Sequence, residues 1–160
     1  MEFKELMHAF AEDVGMTEPV VYEEGGNACR FDIDGMTVNF VEVPETRQLV
    51  TWAEVGEPPS EGRERLYAVL MEAMFMGQAT GGSTFALNPE SRSIQLFRLD
   101  PLTLLDQDAF LAMLEKFVNV LEQWRKMLGE FSAVAPEMAK TEAASTEESR
   151  QLGLGEFLQV

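Results

Sequence analysis

Hydrophobic and polar residues recur with two periods along this chain, and each period predicts one kind of secondary structure. Apolar residues spaced three and four positions apart predict amphipathic helices at residues 2–14 and 107–128. Alternation of apolar and polar residues predicts strands at residues 28–34, 36–43 and 48–55. The pattern therefore predicts both helices and strands within one chain of 160 residues.

A central apolar segment, residues 66–76, carries a single charged residue, Glu72, and is predicted to be a helix. One face of this helix holds Leu66, Val69, Leu70 and Ala73, and another holds Tyr67, Met71 and Met74. A helix that is apolar on two faces must be covered on both. We expect the sheet to cover one face and a second copy of the chain to cover the other. The segment therefore predicts a homodimer with Leu66, Val69, Leu70, Ala73 and Met74 at its interface.

Glycines end this helix and lead into another strand. Gly77, Gly81 and Gly82 follow the apolar segment, and residues 83–87 are predicted to be a strand. The loop resembles a phosphate-binding loop, but Ser83 stands where the lysine that contacts the phosphates belongs. A strand rather than a helix follows, so no helix N-terminus is available for an anion. We interpret the loop as a tight reversal of the chain.

The remaining signals complete an α-β-β-β-α-β-β-α order. Residues 93–99 predict a fifth strand, and Asp34-Gly35 is typical of a two-residue hairpin. Ser60 and Asp106 are predicted to cap the second and third helices. Strands joined by short turns predict an antiparallel five-stranded sheet packed with helices, which is an α+β fold.

The composition changes near residue 130. We predict one domain at residues 1–130, followed at residues 131–160 by an acidic, alanine-rich linker and an apolar C-terminal tail. Apolar residues alternate in the tail and glycines lie between them, which predicts an extended segment rather than a helix. We expect the tail to dock in a partner-binding groove of its own or a neighbouring chain through Leu152, Leu154, Phe157 and Leu158. A helical extension is the alternative.

Charge and the scarcity of cysteine and histidine exclude several functions. Twelve Lys and Arg residues against 28 Asp and Glu residues give a net charge of -16, which repels nucleic acid and anionic membranes. Cys29 is the only cysteine and His8 the only histidine, so we expect no disulfide, no metal site and no nucleophile–base pair. We predict a non-catalytic protein without a cofactor. The absence of a leader pattern and a membrane span predicts a cytoplasmic location.

Residues 70–89, which read LMEAMFMGQATGGSTFALNP, resemble the class I type III secretion chaperones of the Tir-chaperone family. A second similar block lies in the last predicted helix and just before it: Leu105, Asp106, Phe110, Leu114, Phe117, Val118 and Trp124. With residues 3–15, the resemblance covers residues 1–128. Phe75 and Ala86 depart from the asparagine and glycine that are frequent in the family at these positions.

The resemblance implies a homodimer that binds the N-terminal region of a secreted effector without hydrolysing ATP. Such a chaperone keeps the effector soluble and competent for secretion, and a secretion ATPase is a further candidate partner. The resemblance adds Thr84 and Ala86 to the expected dimer interface. A non-chaperone adaptor or regulatory domain with the same fold is the alternative, because fold alone does not determine function. A small-ligand sensor or enzyme is less well supported, because no polar constellation is recognisable.

An effector segment requires apolar surface on the chaperone. We expect this surface on the first helix and the first three strands, where a strand edge and side-chain pockets would bind an extended segment. The candidate effector-binding residues are Leu6, Phe10, Val38, Phe40 and Leu49. Each of them is equally consistent with a place in the hydrophobic core.

Overall fold

The structure, a computed structural model, describes residues 2–154 and the side chains of residues 2–137, 140 and 141. The helices are α1 (Phe3–Asp13), α2 (Arg63–Met74) and α3 (Gln107–Leu154), and the strands are β1 (Ala28–Ile33), β2 (Met36–Val43), β3 (Gln48–Gly56), β4 (Thr84–Leu87) and β5 (Ile94–Pro101). Short 3-10 helices lie at Phe75–Gly77 and Leu102–Leu104. The predicted α+β class and element order are confirmed.

The five strands form one antiparallel sheet in the order β1-β2-β3-β5-β4. β1 and β2 are joined by the predicted two-residue hairpin, in which Asp34 and Gly35 both have positive φ, 50° and 77°. In this strand order β1 and β4 are the two edges of the sheet. A bulge between Glu54 and Gly56 shifts the pairing of β3 with β5.

Alternate residues of the strands point to opposite faces of the sheet, and one face carries the core. Residues of all three helices pack against this inner face in a single hydrophobic cluster. Four phenylalanines lie at its centre, with Phe10 contacting Phe31 edge-on at 5.0 Å between ring centroids and Phe110 at 5.6 Å. Phe40 completes the group at 5.8 Å from Phe31.

Of the two predicted helix caps, one is confirmed and the other is wrong. The Asp106 carboxylate accepts a hydrogen bond from the Ala109 backbone N–H at 2.8 Å, which confirms the cap of α3. The Ser60 cap is wrong, because α2 begins after Gly62, whose φ is 71°. A Cβ on Gly62 would lie 3.6 Å from the Ala135 Cβ, so this residue brings the start of α2 close to α3.

α3 is much longer than the sequence predicts. It runs for 48 residues to Leu154, so the helix end predicted at residue 128 is wrong, and residues 131–150, predicted to be a linker, are helical. Alanine, glutamate, lysine and methionine favour a helix here, and Phe131 and Ala135 pack beside Gly62.

The first residues of the predicted tail also lie in this helix. Leu152 and Leu154 belong to α3 and are not extended, which corrects that part of the prediction. Their helical backbone continues the hydrogen-bonded helix before them, and this regular structure outweighs the cost of Gly153. Phe157 and Leu158 lie outside the described residues, and docking of the tail stays a prediction.

Candidate functional site

The five candidate effector-binding residues all lie in the core. Leu6, Val38, Phe40 and Leu49 are fully buried, and Phe10 is 4% exposed. Val38, Phe40 and Leu49 belong to the inner face of the sheet, where the helices cover them. Contact between these side chains and a partner would therefore require the core to open.

The opposite face of the sheet carries a second set of apolar side chains. They are half-buried or exposed, and they are Val41, Val43, Val50, Trp52, Phe97 and Leu99, here called the outer-face patch. The strand register places them side by side, because Val50 pairs with both Val41 and Leu99 and Trp52 pairs with Phe97. Leu99 is 49% exposed. The patch therefore presents aromatic and aliphatic surface across three neighbouring strands.

The sequence analysis selected the opposite face of the sheet, because adjacent residues of a strand point to opposite faces. In β3 it selected Leu49, although Val50 and Trp52 point to the other face. A signal was present, because β3 and β5 are apolar on both faces, whereas a sheet that faces water on one side normally alternates with polar residues. Apolar residues on both faces of β3 and β5 indicate that the outer face also carries apolar surface.

The residues predicted at the dimer interface fall into two groups. Leu66 and Leu70 are buried in the core, because this side of α2 faces the sheet and α3. Val69, Ala73 and Met74 are half-buried, whereas Thr84 and Ala86 are exposed on the edge strand β4. The second group is itself divided. Met74 lines a slot together with Ala86 of β4, whereas Val69 and Ala73 line a pocket on the other side of α2, beside Val120 and Trp124 of α3.

The surface of α2 away from the core and the 3-10 helix that follows it, together called the α2 surface, carry exposed apolar side chains. Met71, Phe75 and Met76 are 68%, 78% and 77% exposed. Large apolar side chains at this exposure are typical of surfaces that associate with another protein. Of the predicted second apolar face of α2, Met71 is exposed and Tyr67 and Met74 are half-buried, and the exposed apolar surface continues past the end of α2.

Met74 connects α2 to the edge of the sheet. Its Sδ atom accepts a hydrogen bond from the Phe85 backbone N–H at 3.1 Å. An apolar slot beside this contact has a volume of about 110 Å³. Its walls are Tyr67, Leu70, Met71, Met74, Phe85, Ala86, Leu87 and Ile94. The contact covers the β4 edge at Phe85, so this edge offers less backbone to an added strand than the sheet order implies.

The glycine loop turns the chain from α2 into β4. The Gly82 N–H donates to the Gly77 carbonyl at 3.2 Å, and Trp124 Nε1 of α3 donates to the Ala79 carbonyl at 3.0 Å. The Trp124 ring also packs edge-on against Phe85 at 4.9 Å. These contacts fix the reversal against α3.

A groove separates α1 from the β1–β2 hairpin and α3. Its volume is about 520 Å³. Apolar residues including Val14, Met16 and Ile33 line it, and Asp32, Asp34 and Glu115 supply carboxylates. Val14 and Met16 are 53% and 41% exposed. This α1 groove combines an apolar surface with negative charge.

Reactive groups are few among the described side chains. No group of three or more His, Cys, Asp or Glu residues in this part of the chain is placed to hold a metal ion. Burial raises the pKa of the Cys29 thiol to about 12, so the thiol is protonated near neutral pH and a poor nucleophile. His8 is exposed and packs edge-on against Tyr22. The candidate sites among the described residues are therefore the outer-face patch, the exposed apolar surface at α2 and the α1 groove.

The sequence model of the Tir chaperone protein (CesT) family matches residues 5–125. This chain belongs to that family. The match runs from α1 into α3 and includes the whole sheet, so the outer-face patch, the α2 surface and the α1 groove are built on the family domain. A comparison with curated proteins finds no significant match.

Solved structures share the fold of this CesT-family domain. A chain of the ExsC–ExsE complex has a TM-score of 0.67 at 19% identity, over 80% of this chain and 97% of that chain. A chain of the HopA1–SchA chaperone–effector complex has a TM-score of 0.65 at 16% identity, over 78% and 93%. A chain of the ExoT–SpcS complex from Pseudomonas aeruginosa has a TM-score of 0.56 at 21% identity, over 76% and 95%. At these identities the likeness establishes the fold.

The CesT-family domain ends well before α3 does. The family match stops at residue 125, whereas α3 continues to Leu154. The described part of the chain has no helix with both the length and the apolar character of a membrane span, and this includes α3.

Proposed function

We propose that this protein is a non-catalytic type III secretion chaperone that binds the N-terminal region of a secreted effector. The single observation that carries the proposal is the family match over residues 5–125. In this role the protein keeps the effector soluble and competent for secretion, works in the cytoplasm as a homodimer, and passes the effector to the secretion apparatus and its ATPase.

The outer-face patch supplies the main effector contact in this proposal. Its side chains span three strands and lie outside the hydrophobic core, so a partner can cover them without disturbing the fold. An extended effector segment buries alternate side chains against such a surface. Burial of apolar surface contributes roughly 25 cal/mol per Å² before the cost of ordering the segment is subtracted.

The α1 groove supplies a second contact of different chemistry. Exposed Val14 and Met16 offer apolar anchors, and Asp32, Asp34 and Glu115 favour basic residues on the incoming segment. A chain of net charge -16 attracts such a segment from a distance and keeps the complex soluble. The effector segment is thus expected to combine apolar and basic residues.

The second copy of the chain is placed against α2 and β4. Met71, Phe75 and Met76 are the exposed apolar residues there, and Thr84 and Ala86 extend the surface along the sheet edge. A two-fold dimer brings the same surface of each copy together.

Co-expression with the product of the neighbouring gene tests the proposal. The tagged protein should copurify that product untagged, and should raise its soluble fraction and its secretion. Leu99→Asp places a charge in the outer-face patch and should abolish copurification while circular dichroism stays unchanged. Val21→Asp is the matched control, because Val21 is 81% exposed and outside the patch.

Three results would contradict the proposal. One is ATP hydrolysis by the purified protein, and another is equal copurification by the Leu99→Asp variant and the wild type. Binding without any gain in solubility or secretion would instead favour the adaptor function.

A further inference from the structure

Two arginines share one cleft beside the start of α2. The cleft has a volume of about 250 Å³ and lies between the β3–α2 connection, α2 and the β4–β5 turn. This cleft, here called the arginine cleft, is lined by Glu57, Pro58, Arg63, Tyr67, Ser91 and Arg92. The CesT-family chain carries only 12 basic residues, so two guanidinium groups in one cleft form a local concentration of positive charge.

Glu57 lines the same cleft, but among the described side chains neither arginine has a salt bridge like those of Arg47 with Glu2 and Arg98 with Asp100, and the cleft keeps a net positive charge. The Arg63 Nε atom donates to the Pro59 carbonyl at 2.7 Å. This hydrogen bond fixes the guanidinium and leaves its two terminal nitrogens for a ligand. A carboxylate accepts a pair of hydrogen bonds from such a fork.

The backbone at Arg92 is held in an unfavourable conformation. Its φ is 61°, in the left-handed region that side chains with a Cβ seldom adopt. The turn is closed by the Arg92 N–H, which donates to the Asn88 carbonyl at 2.9 Å, and by Asn88 Oδ1, which accepts from the Glu90 N–H at the same distance. A glycine would adopt this φ without strain, so an arginine here is consistent with a role for its side chain.

A chain of polar groups orients the Ser91 hydroxyl in the cleft wall. The Ser93 hydroxyl donates its one hydrogen to Glu54 Oε2 at 3.0 Å and accepts from Gln95 Nε2 at 2.7 Å. The 2.7 Å contact between the Ser91 and Ser93 hydroxyls therefore requires Ser91 to be the donor. A lone pair of Ser91 remains to accept a hydrogen bond from a ligand.

From these groups we infer that the arginine cleft binds an acidic residue of a peptide segment, with the carboxylate on Arg63 and Arg92 and a peptide N–H on Ser91. The cleft offers donors and an acceptor together, which a polypeptide matches through its side-chain carboxylate and its backbone N–H. Glu57 at the same cleft and the net charge of -16 also disfavour a phosphate dianion more than a single carboxylate.

Pro58 and Tyr67 add apolar surface to the cleft, so the acidic residue is expected next to an apolar one. Tyr67 also lines the apolar slot beside Met74, which places the cleft at the border of the α2 surface. The inference rests on the proposed function in one respect, namely that the ligand is a segment of a protein. It adds a specificity that the apolar surfaces do not provide.

Selection from a random dodecapeptide library displayed on phage tests the inference on the intact protein. The wild type should enrich peptides that carry Asp or Glu beside an apolar residue. The Arg63→Gln/Arg92→Gln variant should lose the acidic preference and keep any apolar preference. The Arg30→Gln/Arg125→Gln variant is the matched control, because it removes the same charge from exposed arginines outside the cleft.

The best-enriched peptide, synthesised with a fluorescent label, then gives affinities. Replacement of its acidic residue by the matching amide should weaken binding to the wild type about tenfold, as expected for a paired carboxylate, and should not change binding to the cleft variant. Arg92→Gly should lose the same affinity and yet unfold at an equal or higher temperature, because it relieves the strain at this position.

Several results would overturn the inference. They are an acidic preference that persists in the cleft variant, an equal loss in the Arg30→Gln/Arg125→Gln control, and displacement of the peptide by inorganic phosphate with no effect of the amide replacement. Peptides enriched without an acidic position would also overturn it, and would leave the proposed protein-binding function intact. Failure of the effector to copurify, with the acidic preference retained, would instead remove the proposed function alone.

Discussion

Trp52 lies directly opposite Phe97 in the antiparallel pair of β3 and β5, on the face of the sheet that points away from the core. Aromatic residues opposite one another stabilise a strand pair by about 0.2–1 kcal/mol. Exposed aromatic surface on a sheet is also a risk for aggregation. A protein that keeps such a pair on its outer face is expected to use it for binding.

Trp52 should report partner binding by fluorescence. The chain has two tryptophans, and in the Trp124→Phe variant only Trp52 remains. Its emission should be red-shifted in the free protein and should move to shorter wavelength when an effector covers the outer-face patch. The Trp52→Phe variant is the control, because Trp124 is buried and its emission should not respond. An unchanged Trp52 emission in the complex would place the effector elsewhere.

Core and patch residues should differ sharply in stability. Phe40 is fully buried between Phe31 and Phe110, so Phe40→Ala should lower the free energy of unfolding by about 3–5 kcal/mol. Leu99→Ala, at an exposed position, should change it by about 0.5 kcal/mol or less. Urea unfolding followed by circular dichroism measures both values. Similar losses would mean that the outer face is packed as tightly as the core.

The alternation of side chains along a strand is the part of the site that the sequence predicts. Alternation fixes which residues share a face, and the grouping of Leu49 with Thr51 apart from Val50 and Trp52 is correct. Alternation does not say which face the helices cover when both are apolar. The choice depends on where α1 and α3 pack, which is a property of the whole fold. Val38, Phe40 and Leu49 therefore share one face of the sheet, and that face is the one that the helices bury.

The end of α3 escaped prediction for a different reason. Gly129 and Pro136 are signals that normally end a helix, and the sequence offers both. The helix continues because Phe131 and Ala135 pack beside Gly62, a contact between segments far apart in the sequence. Tertiary packing outweighs local propensity at this position.

The two glycines Gly129 and Gly82 should respond oppositely to alanine. A Cβ meets no other atom within 4 Å at either position, so the difference lies in the backbone. Gly129→Ala should stabilise the protein by about 0.5–1 kcal/mol, because alanine favours the helix. Gly82 has a φ of 87°, so Gly82→Ala should destabilise it by about 1 kcal/mol or more. Thermal unfolding compares them, and changes of the same sign would refute this explanation.

The exposed surface of α2 should govern the oligomeric state. Met71→Glu introduces a charge at a position that is 68% exposed, so the fold should survive while the dimer dissociates. Leu70→Glu should instead unfold the protein, because Leu70 is buried. Light scattering measures the mass and circular dichroism the fold. A wild type that is monomeric at micromolar concentration would contradict the dimer.

The thiol of Cys29 should be unreactive in the folded protein. Burial raises its pKa from 9.0 to about 12. Because the folded-state pKa is the higher one, this group stabilises the fold fully below pH 9.0 and loses that contribution as the pH rises toward 12. Labelling with iodoacetamide at pH 8 should be slow in buffer and fast in urea. Equal rates would mean that the thiol is accessible in the native state.

The length of α3 should affect the elution volume of the protein in size-exclusion chromatography. A helix of 48 residues is about 72 Å long, more than twice the roughly 30 Å diameter of a small domain. Ala135 is the last residue of α3 that the structure describes as buried. From there the helix continues for about 28 Å to Leu154. Such a rod slows diffusion without adding much mass. Even a monomer should elute early and mimic a heavier particle, so its elution volume alone would overstate the number of copies.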